Sequence, residues 1–325
     1  MMVTQYNVFV KEQYNAIKKA EDDVNTVWSN MGIKNSVKHR TNRALSCIER
    51  LIRLSCSDVI LVQYPAYSEK VLKIVGGGKT KPVYALVHDL KCLREKTVSI
   101  EEELDVLNKF NGLIVLTEPM RDLLEKYGYK GKMSCLQMWD YLQDSSVDVQ
   151  STENSMRVCF AGNISKSPFI RQLVGFQTEF LVYGDTNAIE ADNVEFKGVY
   201  SPEVLPSVLE GNWGLVWDGE SLNGCTGHYG DYLRYNIPHK TGLYLAAGKP
   251  LIVWSGAAIS EYVRNNQLGI CIDCLSQLDE VLKSVDDNTY LKYKENVMRV
   301  RNDIISGVNI RNATEQILGG SKYDT

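Results

Sequence analysis

The pattern that most constrains this chain is the alternation of short apolar runs with amphipathic stretches along its whole length. Runs of four to seven apolar residues are too short for buried helices and suit strands buried on both faces. The amphipathic stretches between them suit crossover helices, because parallel strands cannot be joined by a two-residue turn. In the first half this predicts strands near Asn7–Val10, Asp58–Gln63, Pro82–His88 and Gly112–Thr117. Helices are expected over Tyr14–Met31, Asn42–Ser55, Ser99–Phe110 and Pro119–Tyr127, the last opened by Glu118 and Pro119. The polar segment DSSVDVQSTENS, from Asp144 to Ser155, has no apolar period and reads as a linker.

Beyond it the pattern restarts. Strands are predicted at Arg157–Ala161, Glu179–Tyr183, Val194–Lys197, Trp213–Trp217, Pro250–Trp254 and Gly269–Ile272. Helices are predicted at Pro202–Leu209, His239–Ala247, Ala258–Asn265, Leu275–Val285, Thr289–Ser306 and Ile310–Leu318, with a frayed tail GGSKYDT. A length of 325 residues suits two cores better than one. The α/β reading is therefore two facing Rossmann-like domains, 1–148 and 149–325, with an interdomain cleft and a last helix able to pack back on the first domain. In such sheets ligands bind beyond the carboxyl ends of the strands.

Several function classes drop out. A net charge of -4 provides no general attraction for nucleic acid or anionic lipid. No stretch approaches the roughly 20 apolar residues of a membrane span, and MMVTQYNVFVKEQYNA holds no signal-peptide core, so no transmembrane segment is expected. The eight cysteines are scattered, several within apolar runs, which reads as small buried hydrophobes in a reducing cytoplasm. Cys271 and Cys274 have redox-motif spacing but no second pair to complete a zinc site. The run Gly76–Thr80 would need glycine at Lys73 to be a phosphate loop, and no G-x-G-x-x-G follows the first strand. Asp218-Gly219-Glu220 is read as a strand-end turn as readily as a metal triplet. No metal and no cofactor are expected.

The densest chemistry lies from Trp213 to Ser255. Asn236, Pro238, His239 and Lys240 fall where a helix should begin, and unpaired N–H groups there attract anions. Lys240 opposes the helix dipole unless an anion accompanies it, which makes it a candidate phosphate ligand. Gly162 and Asn163, after the strand Arg157–Ala161, read either as a site where a ligand approaches the backbone or as a plain turn. His88 and Asp89 end a strand at the carboxyl edge, with Arg94 close behind; active-site and strand-cap readings stand level. For Lys19 and Asp23 an exposed, salt-bridged helix face is the simpler reading.

The run GLVWDG…GDYLRYNIPHKTGLYLAAGKPLIVW resembles bacterial β-1,6-galactofuranosyltransferases and the glucosyltransferase 3 group of streptococcal adhesin glycosylation. Shorter likenesses lie in HDLKCLR, KAEDDV and GVYSPEVLP. The chain departs from the family pattern at Ile237, where asparagine is expected, and at Asp231, where glutamate is expected. The resemblance implies a GT-B fold, a UDP-sugar donor held by the C-terminal domain, a glycan or glycoprotein acceptor on the N-terminal side, metal-independent transfer and homo-oligomers. It places Lys240 on the diphosphate, with Asn236, Gly162 and Asn163 lining the donor pocket. It also places Tyr200 near the uridine and adds Lys19 to the binding residues. His88, Asp89 and Arg94 are the catalytic candidates. The function so implied is hexosyl transfer from a UDP-sugar, UDP-glucose favoured, to a sugar-bearing acceptor such as a glycosylated serine-rich adhesin. Galactofuranosyl transfer in polysaccharide assembly, a nucleotide-sugar epimerase and a non-catalytic sugar-nucleotide-binding partner are the rivals.

Overall fold

The computed structural model describes residues 1–6, 16–36, 43–65, 72–73, 80–144, 153–184 and 190–319. The strand expected at Asn7–Val10, most of the linker segment, all of the glycine run but Thr80, and the tail from residue 320 lie outside them. The described residues form two compact units.

The first unit contains a six-stranded, all-parallel sheet of order β2-β1-β3-β4-β5-β6. Its strands are β1 (Val3–Gln5), β2 (Lys34–Asn35), β3 (Val59–Tyr64), β4 (Val83–Val87), β5 (Gly112–Val115) and β6 (Lys132–Cys135). Every residue of β3 and β5 is buried, as a strand covered on both faces requires. The order reverses between β1 and β3, which pair with Gln5 opposite Leu61. Helices α1 (Ala16–Asn30), α2 (Arg43–Cys56), α3 (Lys91–Arg94), α4 (Ile100–Leu107) and α5 (Glu118–Lys126) link the strands. Their starts follow local chemistry. Ser99 and Glu102 form a reciprocal capping box on α4, and Thr117 caps α5 ahead of Pro119.

The second unit has its own six-stranded parallel sheet, ordered β12-β11-β10-β7-β8-β9. Its strands are β7 (Arg157–Ala161), β8 (Glu179–Tyr183), β9 (Val194–Phe196), β10 (Trp213–Val216), β11 (Leu251–Trp254) and β12 (Gly269–Ile272). Read from β9, this is the 3-2-1-4-5-6 order of the dinucleotide-binding fold, reversing between β7 and β10. Helices α6 (Leu205–Val208), α7 (Gly227–Tyr232), α8 (His239–Ala246), α9 (Ser260–Asn265), α10 (Leu278–Ser284) and α11 (Asp287–Ser306) complete it. Arg301 of α11 donates from Nε to the Ala246 carbonyl at 2.7 Å, satisfying an acceptor that the end of α8 leaves open.

Gly307, in the left-handed conformation at φ 82°, ends α11. The final helix, α12 (Val308–Leu318), belongs to the first unit. There Ser134 donates to the Ala313 carbonyl, and the Trp28 indole donates to Thr314, each at 2.9 Å. The chain passes from one unit to the other at Leu136–Gln137, ahead of the polar segment read as the linker. Among the described cysteines all are free, but only Cys159 and Cys225 are buried; Cys56 is exposed, which corrects the reading of the group as core residues. No helix among the described residues is long and apolar enough to cross a membrane.

One contact ties the second sheet's switch point together. Tyr244 of α8 lays its ring on Gly214 of β10, where an added Cβ would stand 2.4 Å from ring carbons. Its hydroxyl accepts from the Ala161 amide at 2.7 Å, at the end of β7. Gly214→Ala should therefore cost about 1–3 kcal/mol, the usual range for overpacking. Urea unfolding of wild type and variant measures it; unchanged stability would show that the ring has room to move.

Candidate functional site

At the carboxyl ends of β7 and β10 three sequence-predicted features meet. Lys240, second residue of α8, points its ammonium back to the end of β10, 3.1 Å from the Trp217 carbonyl and 2.8 Å from Asp218 Oδ1. The same ammonium lies 4.3 Å from the centroid of the Phe160 ring. A Cβ on Gly162 would sit 3.6 Å from Lys240 Nζ, so the lack of a side chain there opens the backbone beside the cation. Lys240 is only 11% exposed and Asp218 20%. The anion that a helix-start lysine needs is thus supplied within the chain by Asp218. One of the three ammonium N–H groups has no acceptor among the described residues.

Asp218 also accepts from Ser167 Oγ at 3.2 Å, which fastens the 3₁₀ turns Ile164–Lys166 and Pro168–Gln172 over the strand end. Asn163 opens those turns: its Oδ1 accepts from Ser165 N at 2.8 Å. Its amide nitrogen has no acceptor among the described residues, and the residue is exposed. Asn163 is at once a turn residue and a free donor. Asn236 Oδ1 and Thr241 Oγ1 are buried without a partner among the described residues. Unpaired polar atoms at a helix start are where a ligand finds complementary groups. No described group of acidic, histidine or cysteine residues is arranged to hold a metal ion, Asp218 and Glu220 included. Burial pushes the Cys159 thiol up to about 11, so β7 offers no thiolate nucleophile at neutral pH.

Tyr200 follows β9 on the same edge and is 41% exposed. Its ring stands 5.9 Å from that of Tyr183, whose hydroxyl is held between Val208 O and Glu210 N. One tyrosine is therefore fixed, and its neighbour is held against it while remaining partly exposed. His239 packs between Tyr141 and Trp139, at 5.0 and 6.0 Å between centroids. Lys19 and Asp23 are buried, at 8% and 4% exposure, against the expectation of a solvated helix face. The Lys19 ammonium donates to the Leu142 carbonyl at 2.9 Å and lies 4.7 Å over the Tyr141 ring.

In the first unit, His88 leaves the end of β4, its amide donating to the Tyr64 carbonyl. Its Nε2 is 2.7 Å from Gln63 Oε1. Asp89 accepts from Arg94 Nη1 at 2.5 Å, so this carboxylate is matched by a guanidinium. Burial, helped by the Arg94 charge, pushes the His88 imidazole down to about 4, which keeps it neutral near pH 7. The segment is shaped by Glu103, a buried carboxylate that accepts from the Lys91 and Cys92 amides at 2.7 Å and from the Tyr64 hydroxyl at 2.8 Å. Gln63, Glu103, Asp218 as a partner for Lys240, and Tyr244 are contributors that sequence reading missed. Glu103 sits in an acidic run and Gln63 in an apolar one, so neither had a local signal.

The sheet orders and these strand-end sites define a class, the GT-B glycosyltransferases. A chain described as trehalose-6-phosphate from E. coli bound with UDP-2-fluoro glucose superposes with a TM-score of 0.61 at 7% identity, over 99% of this chain and all (100%) of that one. That likeness shows the fold. The chain belongs to the glucosyltransferase 3-like family, whose N-terminal domain matches residues 1–138 and whose C-terminal domain matches 158–317. Among curated relatives, the beta-1,6-galactofuranosyltransferase WbbI of Escherichia coli (strain K12) is 27% identical, covering 96% of this chain and 94% of its own. Glucosyltransferase 3 of Streptococcus gordonii is 28% identical, covering 75% of this chain and 73% of its own.

The His88 environment makes a pH prediction. Its folded pKa of about 4 lies below the roughly 6.5 of a free imidazole, so the unfolded chain binds the extra proton first. This contribution to stability is fully present above about pH 6.5 and is lost as pH falls toward 4. Arg94→Gln removes a repelling charge, so the His88 midpoint should rise toward 6.5, read by NMR titration of the imidazole; an unmoved midpoint rejects the Arg94 contribution.

Proposed function

We propose that this glycosyltransferase takes a UDP-sugar donor in its second unit and moves a hexose to a sugar-bearing acceptor, with UDP-glucose the favoured donor. The observation that carries the reading is the Lys240 ammonium beside Gly162 at the β7/β10 switch point. Transfer breaks the bond from the anomeric carbon to the diphosphate, and the departing oxygen gains negative charge. Lys240 would meet that charge with its uncommitted N–H, and the α8 start would add backbone N–H groups. Gly162 would let a phosphate approach the backbone, while Asn163 and Asn236 would bond its oxygens or the ribose. Tyr200 would stack on the uracil.

Supplying the positive charge from Lys240 and the helix start is the basis for proposing metal-independent transfer. In the first unit, His88 would accept the proton of the acceptor hydroxyl, since burial keeps its imidazole neutral near pH 7. Asp89 is less suited, its charge being engaged by Arg94. Lys19, held on Leu142 and Tyr141, would act in binding by shaping that segment. The acceptor would be a glycan or a glycoprotein such as a glycosylated serine-rich adhesin, and free cysteines suit work in the cytoplasm. The relative WbbI, matched over almost the whole chain, supports galactofuranosyl transfer as a second reading.

A donor panel separates them: incubation with UDP-glucose and UDP-galactofuranose, each with and without a glycan acceptor. Acceptor-dependent transfer supports the reading. Donor isomerised without acceptor would point to an epimerase, and binding without turnover to a non-catalytic partner. Lys240→Ala should weaken UDP binding by tenfold or more, about 1.4 kcal/mol or above, with the fold intact; unchanged affinity by calorimetry would reject its diphosphate role. Turnover should persist in EDTA, and loss reversed by manganese would reject metal independence.

A further inference from the structure

We infer that Arg234, stacked on Trp254, is a specificity-determining residue that grips two neighbouring oxygens of the sugar being transferred; this rests on the donor site proposed above. The sheet edge of the second unit sets the order of the parts. Along β12-β11-β10-β7-β8-β9, Tyr200 follows β9, Gly162 follows β7, and the Lys240 ammonium stands at the end of β10. A nucleotide with its base at Tyr200 and its diphosphate at Lys240 therefore runs toward β11. What lies beyond the diphosphate is the sugar. Trp254 is the last residue of β11. Val216 and Val253 pair across β10 and β11. Trp217, whose carbonyl accepts from Lys240, and Trp254 thus follow a matched pair on strands roughly 5 Å apart.

The platform at that place is built in advance. The Arg234 guanidinium lies 4.5 Å from the centre of the Trp254 ring, and Trp254 is itself only 8% exposed. A Cβ on Gly256 would stand 2.6 Å from an indole carbon, so the chain after β11 closes against the ring. The Leu233 carbonyl accepts from the Ala258 amide at 2.8 Å, which ties the residue before Arg234 to that same loop. Stacking engages the face of a guanidinium and leaves its edges, where the five N–H groups lie, uncommitted. The exposed Arg234 side chain has no hydrogen bond or ion pair among the described residues, and Asp231, one turn earlier, does not pair with it. Lys240, in contrast, is already matched by Asp218. Burial pushes the Cys225 thiol up, and the charges of Lys240 and Arg234 both act against that rise, so the two cations reach one buried residue. A guanidinium edge offers two parallel donors, which match the oxygens of a carboxylate or of two vicinal hydroxyls. A hexuronate supplies the first and a neutral hexose the second. Because the arginine is held before the ligand arrives, little side-chain freedom is lost on binding.

The test is calorimetry of the full chain, wild type and Arg234→Gln, with UDP, UDP-glucose, UDP-galactofuranose and UDP-glucuronate. Arg234 is exposed, so the substitution leaves the core untouched. The expected result is UDP affinity within twofold of wild type. For the sugar nucleotide that wild type binds most tightly, affinity should fall tenfold or more, with kcat/KM falling in parallel. A loss confined to UDP-glucuronate assigns the carboxylate, and a loss on the neutral hexoses assigns the hydroxyl pair; either supports the inference. Equal losses on UDP and on the sugar nucleotides would put Arg234 on the diphosphate and overturn it, as would undiminished affinity for every sugar nucleotide. Arg234→Lys keeps the charge without the fork and should recover little of the loss; full recovery overturns the two-oxygen contact. Wild type that binds no UDP overturns the donor reading itself and this inference with it, an outcome distinct from the others because no variant is needed to see it.

Discussion

Parallel strands cannot be closed by a tight turn, and much of this molecule follows from that constraint. Every strand must be followed by a crossover, so the carboxyl ends of all strands in a sheet come out on one edge. Where the strand order reverses, the crossovers go to opposite faces and leave a gap at that edge. The second unit reverses its order between β7 and β10, and the residues that follow those strands, Gly162 and Asp218, both come to lie beside the Lys240 ammonium for that reason. The chemistry is local, but the meeting of groups separated by scores of residues is topological. Tyr244 then makes the meeting rigid by joining α8 to β10 through ring packing and to β7 through its hydroxyl.

The ion pair in that gap is better understood as storage than as stability. A lysine at a helix start is opposed by the dipole, and partial burial adds a desolvation cost. Asp218, Trp217 O and the Phe160 ring offset those costs, which lets the ammonium stay in place before any ligand arrives. The carboxylate also limits the field of the site, so a singly charged anion gains less from Lys240 than a diphosphate would. In the role proposed for Lys240, such preorganisation would avoid reorienting dipoles during reaction, the property that makes electrostatic stabilisation effective.

Most of the strands were legible in the sequence because strands buried on both faces write continuous apolar runs, as VILVQY and LIVW do. Three escaped notice: Lys34–Asn35 and Lys132–Cys135 are edge strands with polar residues, and Val3–Gln5, an inner strand, is a buried VTQ run whose two polar residues break the apolar pattern. The short helix Gly227–Tyr232 was hidden by its own glycines, a composition that reads as loop. The site was partly legible. Lys240 and Gly162 announced themselves by helix-start and strand-end chemistry, but their adjacency required the strand order. Lys19 and Asp23 misled because an alternating charge run usually marks a solvated face, and here α1 turns that face inward. Glu103 could not be read at all: two of its partners are backbone amides of residues 91 and 92, and the third, the Tyr64 hydroxyl, lies 39 residues away in sequence.

The two units therefore furnish the same sheet edge with different chemistry, though each holds a matched ion pair there. In the second, charge is retained and matched at the strand ends, which suits a ligand that is itself charged. In the first, the amides of Gln5 and Gln63 and a neutral imidazole, His88, stand beside the matched Asp89–Arg94 pair. Amides cannot titrate, so the network fixes the direction of each hydrogen bond across the working pH range. A carboxylate in place of Gln63 would hold His88 as well but would raise its proton affinity, drawing the imidazole toward the charged, non-accepting form. A buried glutamine between helix and histidine is the arrangement that orients the ring without charging it.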